Sequence, residues 1–236
     1  MDKFNQAGIP VIAVDIPLPG ATFFGADNFR AGYLAGEALG AWINNHWQGR
    51  LDMLLKLEMP EVGPVASSRL LGQQVGLEST LGYLGEDQII SLDCPGVLAA
   101  ALERMQQLLP TLPEDAHIGV VGINDEAVLG ALVAFERDDR LSQVVAVGQN
   151  ADRLGRAALR RPNYPFIATT RFGPESYGEE LLHLALNILK GEAVPPAVYN
   201  QHVVITRENV NQYYPPDQSV QSISNPPNYS QRRQYE

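Results

Sequence analysis

Short apolar runs alternate along this chain with longer stretches in which apolar positions recur every three or four residues. The clearest run is Ile118-Gly-Val-Val-Gly, followed by Asn124-Asp-Glu and then by Ala127, Val128, Ala131, Leu132 and Phe135 at helical spacing. So short and apolar a run predicts a parallel strand covered on both faces. Asn124 fits the N-cap of the helix after it, its side-chain oxygen accepting from a free backbone N–H. Asp125 and Glu126 place negative charge where the helix dipole favours it.

The same alternation runs through the rest of the chain. Residues 1–8 read as the last turns of a helix closed by Gly8, so the chain is expected to have lost what came before. Residues 9–15 predict a strand ending in Asp15, and 22–26 a short extended piece. Asp27 caps a helix to about Ile43, in which Gly32, Gly36 and Gly40 predict a face pressed close to a sheet. Residues 44–49 read as a break and a linker. Strands follow at 51–57, 88–93, 118–122, 144–148, 166–170 and 201–205. Helices are expected from Ser67 or Ser68 to Leu81, and over 97–109, 150–161 and 174–190, the last closed by Gly191.

Strand and helix joined by short loops predict an α/β fold with doubly wound parallel sheets. Residues 51–205 hold enough strands for one nearly complete lobe. The piece before Asn44 offers one good strand and one helix. A strand there is expected to have unpaired edges, so this piece is not an independent domain. From Pro215 the sequence is Pro, Ser, Gln and Asn without apolar period, which predicts a disordered tail over 215–236.

Composition narrows the function. A net charge of −10 argues against nucleic acid and anionic membrane surfaces, which select basic patches. Nothing is apolar for long enough to insert in a membrane, and residues 1–8 do not form a signal peptide. The single cysteine, Cys94, excludes an internal disulfide. His46, His117, His183 and His202 are scattered, so no metal site is expected. There is no G-x-G-x-x-G after a strand, no P-loop and no G-x-S-x-G elbow, and no cofactor or catalysis is expected.

Asp15, Glu58, Asn124, Asn150 and the 170–172 segment all follow predicted strand ends. In a doubly wound sheet those ends share one rim, where ligands bind. Side-chain amides and carboxylates suit a neutral polyol, whose hydroxyls both donate and accept. Each residue has a plainer reading beside this one: Asn124 as a cap, Asp15 as a loop carboxylate, Phe172 as core. Arg69 falls in the first turn of its predicted helix, where a cation opposes the dipole and calls for a compensating oxygen.

Several phrases resemble one family. They are Ile9-Pro-Val-Ile-Ala-Val-Asp15, Gly25-Ala-Asp-Asn28 with Gly32, Arg69-x-x-Gly72, Asn124-Asp-Glu126 with Gly130-Ala-Leu132, Val147-Gly-Gln-Asn150 and Leu189-Lys-Gly191. Together they resemble type 1 periplasmic sugar-binding proteins of the ribose-binding kind. The resemblance implies two α/β lobes joined by three crossovers, closing over a sugar and presenting it to an ABC permease from an extracytoplasmic position. It implies a remnant of the N-terminal lobe at 1–46 and 173–191, and a C-terminal lobe at 50–172 and 198–206. By the same likeness Asp15 accepts from sugar hydroxyls, Arg69 donates to them, and Asn124 is a hydroxyl ligand. Asn150, Ile16 and Phe172 stand where the family usually has Asp, Arg and Gln. The effector domain of a LacI-type regulator and a sensor ectodomain share this architecture. A small α/β enzyme is the rival from another class.

Overall fold

In a computed structural model, residues 1–216 are described. The expected tail lies, from Asp217 on, outside the described residues. The chain opens with α1 (Asp2–Gln6), β1 (Ile12–Val14), β2 (Thr22–Gly25) and α2 (Asn28–Trp47). Next come β3 (Met53–Glu58), α3 (Gly63–Leu81), β4 (Ile89–Asp93), α4 (Leu98–Leu108), β5 (Ile118–Gly122) and α5 (Asp125–Arg137). The rest is β6 (Val144–Asn150), α6 (Arg153–Leu159), β7 (Phe166–Arg171), α7 (Tyr177–Leu189), β8 (Ala197–Tyr199), β9 (Val203–Thr206) and α8 (Val210–Tyr213).

Two sheets result. The larger has the order β4-β3-β5-β6-β7-β9 and is parallel except for β9, which runs antiparallel to β7. Its strands alternate their side chains between two helical layers, as the two-residue period of a strand requires. Leu55, Val120 and Ala146 face a core shared with Met105, Leu132, Phe135 and Leu159 from α4, α5 and α6. Leu54, Val121, Val145 and Val147 face the other way, against Leu39 and Ile43 of α2 and Leu77 of α3. Helices on both faces explain why these strands are apolar throughout.

The smaller sheet is β1-β2-β8, all parallel. The sequence marks only one good strand there. The extended piece at β2 pairs with β1, and β8 was hidden because three residues after a proline pair carry no readable period.

The helix expected beside the N-terminal strand takes its core from the larger sheet instead: Ala35, Leu39 and Ile43 are fully buried against it. Its four-spaced glycines also serve a different contact. A Cβ at Gly32 or Gly36 would collide with the backbone oxygens of Arg69 and Gln73, and one at Gly72 or Gly76 with those of Phe29 and Tyr33. The glycines press α2 against α3, not against a sheet, and bring the Arg69 turn up to the start of α2. Of the 44–49 stretch, residues 44–47 are the last turn of α2, which Gln48 ends in a left-handed conformation, so it is not a linker.

The chain therefore passes between the sheets at 26–28, 172–174 and 200–202. Asn200 ties these passages together. Its backbone N–H donates to Gly25 O at 3.1 Å, and its side-chain amide donates to Phe172 O.

Candidate functional site

The carboxyl ends of β1 and β2 and those of β6 and β7 open onto one cleft of about 670 Å³. Asp15, Arg69, Asn150 and Phe172 line it together with Asn28 and Tyr177. Of the residues singled out from the sequence, those first four are brought together, and Glu58 and Asn124 are not.

Asp15 follows β1 in a left-handed conformation, φ 59°, held by its N–H donating to Phe24 O at 2.9 Å. Gly25 leaves room for it, since a Cβ there would stand 2.6 Å from Asp15 Oδ1. That oxygen accepts from the Tyr177 hydroxyl at 3.0 Å. Burial, reinforced by Asp15, holds the Tyr177 phenol protonated well above its ordinary range.

Arg69 stands in the second turn of α3, because the helix starts at Gly63 and not near Ser68. The helix dipole falls off within the first turn, so Arg69 needs its oxygen partners because it is largely out of water. Asn28 Oδ1 accepts from Arg69 Nε at 3.1 Å and from Nη2 at 2.6 Å. Ile123 O accepts from Nη1 at 2.8 Å, and Asn150 Oδ1 lies 3.5 Å from the same nitrogen. The Phe172 ring centroid is 4.8 Å from the guanidinium carbon. Burial lowers the guanidinium pKa to about 10, with the Asp15 charge opposing the shift. Arg69 stays charged at neutral pH and has no carboxylate in ion-pair contact among the described residues.

Asn150 is the last residue of β6, with φ 102°, and Ala151 follows at φ 54°. The helix after it begins at Arg153 under an Asp152 cap, so Asn150 is not a helix start. Such backbone is costly for non-glycine residues and persists only where its surroundings fix it. Asp125 does the fixing. Its Oδ2 accepts from Asp152 N–H at 2.8 Å, its Oδ1 from the Thr169 hydroxyl at 2.6 Å, and Thr169 accepts from Ala151 N–H at 3.0 Å. Burial, then the nearby Asp152 charge, pushes the Asp125 carboxyl well above the usual carboxylate range.

Asn124 spends its amide elsewhere. Its Oδ1 accepts from Ala127 N–H at 2.9 Å, the expected cap, and its Nδ2 donates to Gly96 O at 2.7 Å. Glu58 accepts from the Ser91 hydroxyl at 2.8 Å and lies 3.4 Å from Lys56 Nζ. Both sit at the strand-end rim without lining the cleft.

Sequence reasoning passed over four positions that build the site. Asn28 was part of a family phrase but not marked as a ligand or support. Tyr177 and Asn200 are brought in only by the second sheet. His202 packs edge-on to Phe172, ring centroids 5.1 Å apart, and its Nδ1 lies 3.3 Å from Arg171 O. No local signal marks such long-range neighbours. Among the described residues, no group of three His, Cys, Asp or Glu side chains is placed to hold a metal ion. Among the same residues, no helix is long and apolar enough to cross a membrane.

A family model described as a periplasmic binding protein domain matches residues 1–193. No curated protein matches the sequence. Solved structures do. A periplasmic solute-binding protein of an ABC transporter from Actinobacillus succinogenes 130z, with bound D-allose, superposes with a TM-score of 0.73 at 21% identity. The match covers 90% of this chain and 74% of that one. A solute-binding protein from Bacillus halodurans C-125, with bound myo-inositol, gives a TM-score of 0.70 at 22% identity, over 90% of this chain and 71% of that one. GanP, a glucose-galactose binding protein from Geobacillus stearothermophilus, gives 0.65 at 20% identity, over 88% and 71%.

Proposed function

Because this chain belongs to the periplasmic binding protein domain family, whose members bind rather than catalyse, we propose that it is the carbohydrate- or polyol-binding component of an ABC-type importer. It works outside the cytoplasmic membrane and hands its ligand to a permease. The observation that carries this reading is the cleft itself. Asp15 and Tyr177, from the small-sheet side, face the same space as Arg69 and Asn150, from the large-sheet side.

Acceptor and donor groups on opposing walls suit a solute whose hydroxyls do both. Such a ligand touches both walls only when they are close, so binding favours the closed form by its differential affinity. The chain thus has two lobes. Residues 1–25 and 174–199 form the smaller, and residues 28–171 with 203–214 the larger, α2 included. The similar structures support the ligand class, since those named above hold D-allose and myo-inositol or bear the name glucose-galactose binding protein.

A thermal-shift panel of pentoses, hexoses and cyclitols, with amino acids as the control class, tests the proposal. A concentration-dependent rise in Tm with one or more polyols, absent in Arg69→Ala, is expected. A shift with an amino acid and none with any polyol would reject it.

A further inference from the structure

We infer that the cleft is built for a sugar with an apolar end, of the 6-deoxyhexose class, in preference to a fully hydroxylated hexose. This deepens the carbohydrate reading above and rests on it.

The polar groups of the cleft are largely spent on one another. Asn28 gives its oxygen to Arg69 and one amide N–H to Ala26 O at 3.4 Å. One Asp15 oxygen is taken by Tyr177. Arg69 is engaged by Asn28, Ile123 O and Asn150. Among the described residues this leaves the second Asp15 oxygen, the Asn150 amide nitrogen, the second Asn28 amide N–H, the Tyr177 oxygen and the remaining Arg69 N–H capacity.

The rest of the wall is apolar on both sides. Ile16, Pro17 and Pro174 lie on the small-sheet side, and Val62, Pro64 and Val65 on the other. Ile16 is 79% exposed, Val65 41% and Val62 38%, so these side chains are available for a ligand to cover. A hydroxymethyl group closed in against them loses its water contacts and gains no partner, whereas a methyl group gains apolar burial. The polar cluster then reads the ring hydroxyls, and the apolar lips read the missing one.

Calorimetry on this chain with three matched pairs tests the inference: D-galactose and D-fucose, L-mannose and L-rhamnose, D-glucose and D-quinovose. At least one 6-deoxy sugar is expected to bind about tenfold or more tightly than its parent, and Val65→Ser to shrink that ratio towards one. Parents binding as tightly as their 6-deoxy partners would overturn the inference and leave the carbohydrate reading standing. So would a Val65→Ser variant that weakens both members of a pair alike, since the lips would then only seal against each other. Binding of none of the six would overturn the inference, and the pentoses and cyclitols of the thermal-shift panel then decide the carbohydrate reading by themselves.

Discussion

The guanidinium of Arg69 rests 4.8 Å from the centroid of the Phe172 ring. A half-buried cation here is held by an aromatic face and three oxygens of neutral groups rather than by an ion pair. Its planar fork reaches Asn28, Ile123 O and Asn150 at once, which a lysine ammonium does not reproduce. Arg69→Lys is therefore expected to lower ligand affinity at least about tenfold while keeping the charge, as read by calorimetry against the tightest sugar found. Wild-type affinity in that variant would mean that charge alone matters.

Asn124 behaves differently. Its amide is committed to a helix cap and to the Gly96 loop. Asn124→Ala should cost about 1 kcal/mol of stability, in line with a lost cap, and leave affinity within about twofold. Urea unfolding and a sugar titration on one preparation separate the two effects.

Gly36 faces the backbone of Gln73 where α2 meets α3. Gly36→Ala gains helix propensity but forces the helices apart, and the net result is expected to be a loss of about 1–3 kcal/mol. Because Arg69 and Asn28 sit on these two helices, affinity should fall with stability. A more stable variant would show that the helices have slack between them.

Burial holds the His202 imidazole below its ordinary value of 6.5; the bond to Arg171 O and the Asp27 charge oppose that shift, and the Arg69 charge adds to it. A base with a depressed folded-state pKa takes up its proton first in the unfolded chain. Its contribution to stability is thus intact above 6.5 and declines as pH falls from there through the lowered folded value. The urea midpoint of the wild type should drop between pH 7 and pH 5.5 more steeply than that of His202→Gln. Parallel curves would remove His202 from the account of acid sensitivity.

Much of the fold was legible because buried parallel strands write themselves as apolar runs. Residues 118–122 and 144–150 are strands for the reason the sequence suggested, and Asn124 and Asp27 cap as their types predict. Partners across sequence distance were not legible. Glycines every four residues announce a close approach without naming the surface approached, which is how α3 was mistaken for a sheet. β8 is too short to show a period, and β9 lies antiparallel with nothing in its own residues to say so. In the site, Asp15, Arg69 and Asn150 converge because strand ends share a rim. Asn124 shares the same end, yet its backbone neighbours claim its amide. Asp125 reads in the sequence only as first-turn charge suited to the helix dipole, whereas its burial makes it the support of the Asn150 turn.

The central claim is that one solute is gripped at once by Asp15 on one wall and Arg69 on the other. A calorimetric double-mutant cycle with Asp15→Asn, Arg69→Gln and the double variant, using the tightest-binding sugar, tests it most directly. Each single change is expected to weaken binding about tenfold or more, and the double variant to lose less than the product of the two, since a ligand no longer gripped by both walls has less closure to lose. Affinity unchanged in both single variants would place the ligand elsewhere and contradict the account.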